Sequence, residues 1–336
     1  MTATLRNINL SQAVAEGLRQ EMEADDTVLV LGEDVGAHGG VFGSSRGLAK
    51  AFGSSRVLDT PISEMAFTGM AVGLAMEGYR PVVEIMFVDF IGVCLEQVYN
   101  AIAKIPYMSG GHVPMPVVIK TAGGNIGSAA QHSQTLWGLF AHLPGLRVVA
   151  PSNPHDSKGM IAAAVRCDDP VVFIEHKGLL LQRAADFAFG ADVPREAFTV
   201  SLDEAAVARP GRDLTLVTVS GTVGQAYAAA QAAAAHGIDV EIIDLRSVMP
   251  VDWDTVCASL TRTRRLLVVD EDYLGFGLSG EIVTGVIERM GLDALDGVAR
   301  HGLPGVPVPA ALSLERAVVP DADSILAAIL RLGGTR

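Results

Sequence analysis

The sequence has few cysteines and no long uninterrupted hydrophobic run. Its three cysteines lie far apart without Cys-x-x-Cys spacing, which excludes a disulfide scaffold and a zinc knuckle and favours a reducing compartment. The most apolar stretch, residues 82–95, contains Glu84 and Asp89 and is too short to span a bilayer. The first residues include no apolar segment typical of a signal peptide. We therefore expect a cytoplasmic protein with no membrane partner.

Positive charge and aromatic residues are scarce too. Lys and Arg number 25 against 38 Asp and Glu, which gives a net charge of −13 at pH 7, and aromatic residues make up 5%. So acidic a protein is not expected to bind nucleic acid or anionic membrane. Apolar residues are abundant at 49%, and there are 36 glycines among 336 residues. This composition is typical of an α/β protein with many tight turns, and the length predicts about two domains.

Segments typical of strands and helices alternate along the chain. In the first half, apolar periodicity predicts helices over 11–22, 64–76, 89–108, 130–143 and 153–167, with strands between them. A second series of alternating strands and helices begins near residue 213. Such alternation predicts mainly parallel sheets covered by helices on both faces. The expected fold class is therefore α/β, with two doubly wound domains.

The alternation of predicted strands and helices is interrupted between residues 178 and 212. This stretch is polar, contains Pro194 and Pro210, and suggests a linker with a short hairpin. We therefore expect an N-terminal domain over residues 1–190, a linker over 191–212 and a C-terminal domain over 213–336.

Two short motifs suggest other enzyme classes. Residues 43–47 match the Gly-x-Ser-x-Gly nucleophile elbow, but they follow a glycine-rich loop instead of a buried strand, so a hydrolase is not expected. Residues 275–280 match Gly-x-Gly-x-x-Gly between a strand and a helix, which leaves open a stand-alone NAD-dependent oxidoreductase. The three carboxylates at 270–272 would repel a pyrophosphate at that position.

Three residues stand where a site could form. Glu64 begins an apolar helix after a turn, where a carboxylate either favours the helix dipole or meets a buried partner. His132 follows the glycine-rich loop 122–127 and is placed for acid–base chemistry or next to a helix cap. Phe90 lies near the carboxyl end of a predicted strand, where ligands of doubly wound sheets bind, although such residues often belong to the core.

Long stretches of the sequence resemble a known family, and they occur in the same order along the chain as in that family. The chain is similar to the beta subunits of the first, decarboxylating component of the thiamine-diphosphate-dependent 2-oxo acid dehydrogenases, of pyruvate, acetoin or branched-chain type. These subunits belong to the transketolase-like superfamily. The matching stretches include LGEDVG, GGVFG, RVLDTPISEMAFTGMAVGLA, RPVVEIMFVDF, AAQHSQ, PGLRVVAPSNPHDSKGMI, DPVVFIEHK and DLRSVMPVDWDT. The resemblance implies a pyrimidine-binding N-terminal domain and a transketolase C-terminal-like domain.

The resemblance also implies roles for four residues. Glu64 contacts N1′ of the aminopyrimidine, where a proton favours the imino form that activates the thiazolium carbon. Phe90 packs on the same ring. His132 acts on the substrate or during transfer to a lipoyl group. Glu33 belongs to a proton path that links paired sites.

Partners follow from what the family motif requires. Thiamine diphosphate and Mg²⁺ are held in such enzymes by a Gly-Asp-Gly…Asn motif, and this sequence contains no Gly-Asp-Gly. The resemblance therefore implies an alpha subunit that holds Mg²⁺ and diphosphate, in an α2β2 heterotetramer. It also implies docking of a lipoyl-bearing acyltransferase, which suits the negative charge of the chain after residue 200.

A potassium ion is a further implication of the resemblance. The family binds it mostly through backbone carbonyls, at positions that correspond here to Val117, Ala164, Val165, Cys167 and Asp169. Substrate type is suggested by IMFVDF, GVCLEQ and YMSGG, which are nearer to the acetoin and pyruvate types than to the branched-chain alternative.

Overall fold

The chain divides into two compact units. The computed structural model describes residues 5–334. Unit 1 contains the residues up to 123 together with 139–202, and unit 2 contains 124–138 together with the residues from 203 onward. The short segment 124–138, which carries His132, therefore groups with the C-terminal part of the chain.

Unit 1 is built on a parallel sheet. Its strands follow the order β5-β6-β4-β3-β1-β2, and each neighbouring pair is parallel. The four strands β1, β3, β4 and β6 are buried over all or nearly all of their length, as a sheet covered on both faces requires. The strand bounds are Val28–Gly32 (β1), Val57–Asp59 (β2), Arg80–Ile85 (β3), Val118–Gly123 (β4), Arg147–Val149 (β5) and Val171–His176 (β6).

The predicted helices of the first half form with two exceptions. Helix α1 begins after Asn9, whose side chain accepts a hydrogen bond from the Gln12 N–H at 2.8 Å, while the Gln12 side chain accepts from the Asn9 N–H at 3.0 Å. Asn153 caps helix α6, because its side chain accepts a hydrogen bond from the Asp156 N–H. The bounds are Leu10–Ala24 (α1), Leu48–Phe52 (α2), Glu64–Met76 (α3), Ile105–Met108 (α4), Trp137–Ala141 (α5) and Pro154–Arg166 (α6).

The single helix predicted over 89–108 is wrong. A 3-10 helix (Val88–Cys94), a π-helix (Gln97–Ile102) and α4 replace it. Pro106 at the start of α4 has no N–H to extend a preceding α-helix. The helix predicted over 130–143 is also wrong before Trp137, since Ala129 and Leu136 have positive φ angles of 64° and 53°, which end a right-handed helix.

Unit 2 contains a five-stranded sheet. Its order is β12-β11-β8-β9-β7, parallel except where β7 runs antiparallel to β9. The strand bounds are Ala206–Arg209 (β7), Leu214–Thr218 (β8), Val240–Asp244 (β9), Ser247–Met249 (β10, outside this sheet), Arg265–Tyr273 (β11) and Gly297–Leu303 (β12). The hairpin predicted before residue 212 is wrong, because β7 pairs with a strand more than 30 residues later in the chain.

Helices cover both faces of this second sheet. Their bounds are Thr222–Ala234 (α7), Trp253–Thr263 (α8), Leu278–Met290 (α9), Leu312–Val318 (α10) and Ala322–Gly333 (α11). The interior contains the alanine face of α7 and the apolar face of α11. Over residues 5–334, every helix is too short or too polar to cross a bilayer.

A buried cluster of charges crosses the sheet of unit 1. The Lys120 Nζ on β4 lies 3.0 Å from Glu84 Oε2 on β3 and 3.0 Å from Glu175 Oε2 on β6. Ser44 donates to Glu175 at 3.0 Å, and Ser45 donates to Glu84. The loop that resembled a nucleophile elbow therefore uses its serines to bind the sheet. We call Glu84, Lys120 and Glu175 the buried triad.

The charges of the buried triad depend on one another. Burial favours the neutral acid and raises the pKa of Glu175, although Lys120 opposes this. Burial alone would lower the pKa of Lys120, but the two carboxylates more than offset it and raise that pKa. The lysine therefore stays charged, and removing it leaves two carboxylates without their cation.

We predict that Lys120→Met lowers the free energy of unfolding by about 3–5 kcal/mol, because breaking a buried ion pair leaves uncompensated charge. Urea denaturation of the purified chain measures this. The matched control is Lys50→Met at an exposed position on α2, which should change the free energy by less than about 0.5 kcal/mol. Equal effects of both substitutions would show that the buried triad contributes nothing to stability.

Candidate active site

Two carboxylates lie close together at one edge of unit 1. Glu33 directly follows β1, and Glu64 is the first residue of α3. The Ser63 backbone N–H, one residue before α3, donates a hydrogen bond to the Glu33 carboxylate. Both side chains are half-buried. The structure therefore brings together two of the four residues that the resemblance singles out.

The environment of Glu33 favours the neutral form of its carboxyl group over the charged form. Burial raises its pKa, and the nearby charges of Glu64 and Asp34 raise it further, while the Ser63 hydrogen bond opposes the shift. Its Oε1 is buried with no hydrogen-bond partner in the structure. A buried acceptor of this kind calls for a donor or a proton from a bound group. The pair therefore fits a ligand that carries a protonatable nitrogen.

Aromatic rings lie at the end of strand β3. Phe87 packs against Phe42 with ring centroids 5.5 Å apart and against Phe90 with centroids 5.2 Å apart. The Phe90 N–H donates to the Phe87 carbonyl oxygen at 3.0 Å, which begins the 3-10 helix and leaves the Phe90 ring half-buried. Phe90 thus lies at the carboxyl edge of the sheet, where the sequence analysis placed it.

Lys177 is a charged neighbour of these rings that the sequence analysis missed. It directly follows β6, is buried, and places Nζ 5.0 Å from the centroid of the Phe87 ring. The pattern DPVVFIEHK contained the signal, since a lysine just past a buried strand must lie at the ligand-binding edge of a parallel sheet. The edge therefore carries a positive charge as well as the two carboxylates.

Cys94 is a second missed neighbour. Burial is the main cause of the raised pKa of its thiol, and the Glu64 charge contributes to it. The thiol is therefore within electrostatic reach of Glu64 and stays protonated at neutral pH.

His132 lies on a turn in unit 2. Its N–H donates to the Ala129 carbonyl oxygen at 3.3 Å, and its side chain is half-buried. The prediction that it stands at a helix start is wrong, because α5 begins only at Trp137. The structure therefore presents His132 on a non-helical segment of a different unit from Glu33, Glu64 and Phe90.

Two of the five residues expected to bind potassium contact the same arginine. Arg80 Nη1 donates to the carbonyl oxygens of Val165 and Cys167, both at 3.1 Å. The Val117 carbonyl oxygen accepts a hydrogen bond from the first N–H of strand β6. The Asp169 carboxylate forms an ion pair with Arg147 at 3.1 Å. The Ala164 carbonyl accepts the Cys167 N–H at 3.2 Å. Two carbonyls therefore point at one cation, and the guanidinium already supplies part of the positive charge.

The Gly-x-Gly-x-x-Gly segment lies beside buried acids. Asp270 is fully buried, and burial followed by the charge of Asp272 raises its pKa well above the usual value. A Cβ at Gly277 would lie 1.9 Å from the carbonyl oxygen of Tyr273, so this glycine allows the turn to pack on β11. Close packing explains the motif, and the acids disfavour a bound pyrophosphate.

Known families match both halves of the chain. Residues 6–182 match the pyrimidine-binding domain of transketolase, and residues 203–325 match the transketolase C-terminal domain. A subunit named acetoin:2,6-dichlorophenolindophenol oxidoreductase subunit beta, from Bacillus subtilis, is 40% identical over 98% of each chain.

Two further proteins extend the comparison. The pyruvate dehydrogenase E1 component subunit beta of Bacillus subtilis is 39% identical and covers 91% of this chain and 92% of its own. A solved structure described as a split-gene transketolase, inactive beta4 tetramer, aligns with a TM-score of 0.77 at 21% identity, over 98% of this chain and 99% of that one. The latter similarity concerns the fold.

Proposed function

Since the chain belongs to the transketolase-like family of dehydrogenase E1 beta subunits, we propose that it is the beta subunit of a thiamine-diphosphate-dependent acetoin or pyruvate-type 2-oxo acid dehydrogenase. The single observation that carries the proposal is the Glu33–Glu64 pair, which gives a buried acceptor and a half-buried carboxylate at the carboxyl edge of a parallel sheet. We favour acetoin or pyruvate over a branched-chain substrate because the relatives named above are acetoin and pyruvate enzymes.

The residues of unit 1 fit the pyrimidine half of the cofactor. Thiamine diphosphate, when bound, supplies a carbon nucleophile and an electron sink that protein side chains lack. Glu64 would hold a proton at the N1′ ring nitrogen, and Phe90 would cover one face of the ring. Glu33 would lie nearby, where burial and the charge of Glu64 raise the pKa of its carboxyl group. Mg²⁺ and the diphosphate are assigned to the partner chain, because this sequence lacks the Gly-Asp-Gly motif.

An alpha subunit is proposed as the partner in an α2β2 heterotetramer. Large apolar side chains are exposed on unit 1, including Ile62 at 85% and Tyr107 at 89%. Met65, Met70 and Met76 on helix α3 are exposed as well. An apolar surface of this kind is typical of permanent subunit interfaces. Ile62 and Met65 lie within two residues of Glu64, which supports a partner that completes the site.

A lipoyl-bearing acyltransferase is proposed as the acceptor of the acyl group. The chain after residue 200 contains 11 Arg and no Lys against 18 Asp and Glu, which supports docking of a basic domain. We also propose a cytoplasmic location, supported by cysteines that are all free.

We predict that Glu64→Gln preserves assembly but slows exchange of the cofactor's C2 proton by about 10²-fold or more, because an amide cannot hold and release the N1′ proton. Deuterium exchange at the thiazolium C2 atom, followed by NMR in the reconstituted heterotetramer, measures this. The matched control is Glu77→Gln at the other end of α3, which should exchange at the parental rate. Parental exchange in Glu64→Gln itself would remove the assigned role.

We predict that the beta chain alone binds thiamine diphosphate with Mg²⁺ no more tightly than millimolar, because only the pyrimidine half of the site is present. Calorimetric titration of the purified chain and of the heterotetramer compares the two. Micromolar binding by the lone chain would contradict the divided site.

We predict that His132→Ala lowers kcat by about 10²–10⁴-fold while leaving C2-proton exchange and cofactor affinity unchanged, because its proton transfers serve the substrate. The assay is reduction of 2,6-dichlorophenolindophenol by the heterotetramer with acetoin and, separately, pyruvate. The control is His155→Ala. His155 is also half-buried but lies in unit 1, outside the segment that carries His132, so this variant should keep parental kcat. A His132 variant with near-parental turnover in this assay would show that the side chain has no role in the proton transfers of the substrate.

The potassium site is also proposed, at the carbonyls of Val117, Ala164, Val165 and Cys167 with Asp169. The convergence of two of these carbonyls on one guanidinium nitrogen supports it. We predict that 100 mM KCl raises Tm by about 2–4 °C over equal NaCl, a modest gain because Arg80 already supplies positive charge. Differential scanning calorimetry of the heterotetramer in the two salts measures this, and identical values would count against the ion.

A further inference from the structure

Glu315 binds the segment that carries His132. Both of its carboxylate oxygens accept the Gly127 N–H, at 3.0 and 2.9 Å, although the two residues are 188 positions apart. The Glu315 side chain is only 5% exposed. A buried carboxylate needs a donor, and charge-assisted hydrogen bonds are stronger than neutral ones. This contact is therefore a strong attachment of the segment to helix α10.

The backbone at Gly127 is shaped to this contact. Its φ angle is +76°, in the left-handed region that favours glycine. A Cβ at this position would lie 2.6 Å from Leu312 Cδ2 on the same helix as Glu315. Gly127 thus approaches α10 closely enough that both a hydrogen bond and apolar packing hold it.

The other end of the segment is held as well. Thr135 Oγ1 donates to the Glu271 carbonyl oxygen at 3.1 Å, and the Gly138 N–H donates to Asp272 Oδ2 at 3.2 Å. His132 lies between these contacts and Gly127, on a stretch without regular secondary structure. Attachment at both ends of such a stretch restricts where a side chain on it can lie.

We infer that Glu315 is a positioning residue for His132, which it serves by holding the Gly127 N–H and so the course of residues 127–132. The inference rests on the proposed catalytic role of His132. Glu315 does not itself take part in proton transfer. A small displacement of an acid–base group is costly, since an error of about 1 Å lowers rates by about 10²-fold.

A double-mutant cycle tests the inference. Wild type, Glu315→Ala, His132→Ala and the double variant are each reconstituted with the alpha subunit, and kcat is measured with acetoin and with pyruvate. Glu315→Ala should lower kcat about 10- to 100-fold when His132 is present. It should lower kcat less than about threefold in the His132→Ala background, because no imidazole remains to be misplaced. Equal losses in both backgrounds would overturn the inference.

Two further variants separate positioning from general damage. Glu315→Gln keeps an acceptor oxygen for the Gly127 N–H and should retain kcat within about threefold. Asp252→Ala removes a half-buried carboxylate of the same unit that accepts the Thr255 and Ala205 N–H groups away from the segment. It should lower Tm but not kcat. A loss of kcat in Asp252→Ala equal to that in Glu315→Ala would attribute the effect to lost stability and overturn the inference.

Hydrogen exchange measures the attachment without reference to turnover. The peptide containing the Gly127 amide should exchange at least about tenfold faster in Glu315→Ala, while the Thr255 region stays unchanged. Unchanged exchange at Gly127 would overturn the inference directly. Parental turnover in His132→Ala would instead overturn the proposed role of His132, and accelerated exchange would still show that the attachment exists.

Discussion

The ion pairs among Glu84, Lys120 and Glu175 constrain the rest of unit 1. One member of the buried triad lies on each of the neighbouring strands β3, β4 and β6, so the three strands are locked in register by charge as well as by backbone hydrogen bonds. Burying three charges is expensive, and a well-packed apolar set is often at least as stable. The buried triad makes the strand register specific, because one lysine must contact both carboxylates, which also bind the serines of the glycine-rich loop.

Two strands of the buried triad end next to side chains of the candidate site in unit 1. Strand β3 leads to Phe87 and Phe90, and β6 leads directly to Lys177. The register of these buried strands therefore determines where the chemistry-bearing side chains of unit 1 begin. Rigid strands with short, tethered extensions give better placement than long loops do.

Much of the fold was predictable because its signals are local. The capping residues Asn9 and Asn153, and the buried character of the parallel strands, identify helices α1 and α6 and the α/β class. The predictions over 89–108 and 130–143 failed because apolar periodicity does not show where the backbone leaves the helical region. Ala129 and Leu136 take positive φ angles in a segment held by distant residues, and no local pattern reports that.

The residues of the candidate site likewise differ in whether a local sequence signal predicts them. Glu64 and Phe90 stand beside recognisable turns and strand ends, whereas Glu33 gained its role from the family resemblance and its proximity to Ser63 from the fold. Glu315 is one of 38 acidic residues and carries no signal in its neighbourhood.

The separation between Glu315 and Gly127 has a consequence for protein synthesis. Ribosomes add roughly 5–20 residues per second, so the 188 positions between them take roughly 10 to 40 seconds to translate. During that interval the sheet of unit 1 can be complete while Gly127 still lacks its carboxylate. Translation that stops before residue 315 yields a chain with both Glu33 and Glu64 but without this attachment for His132.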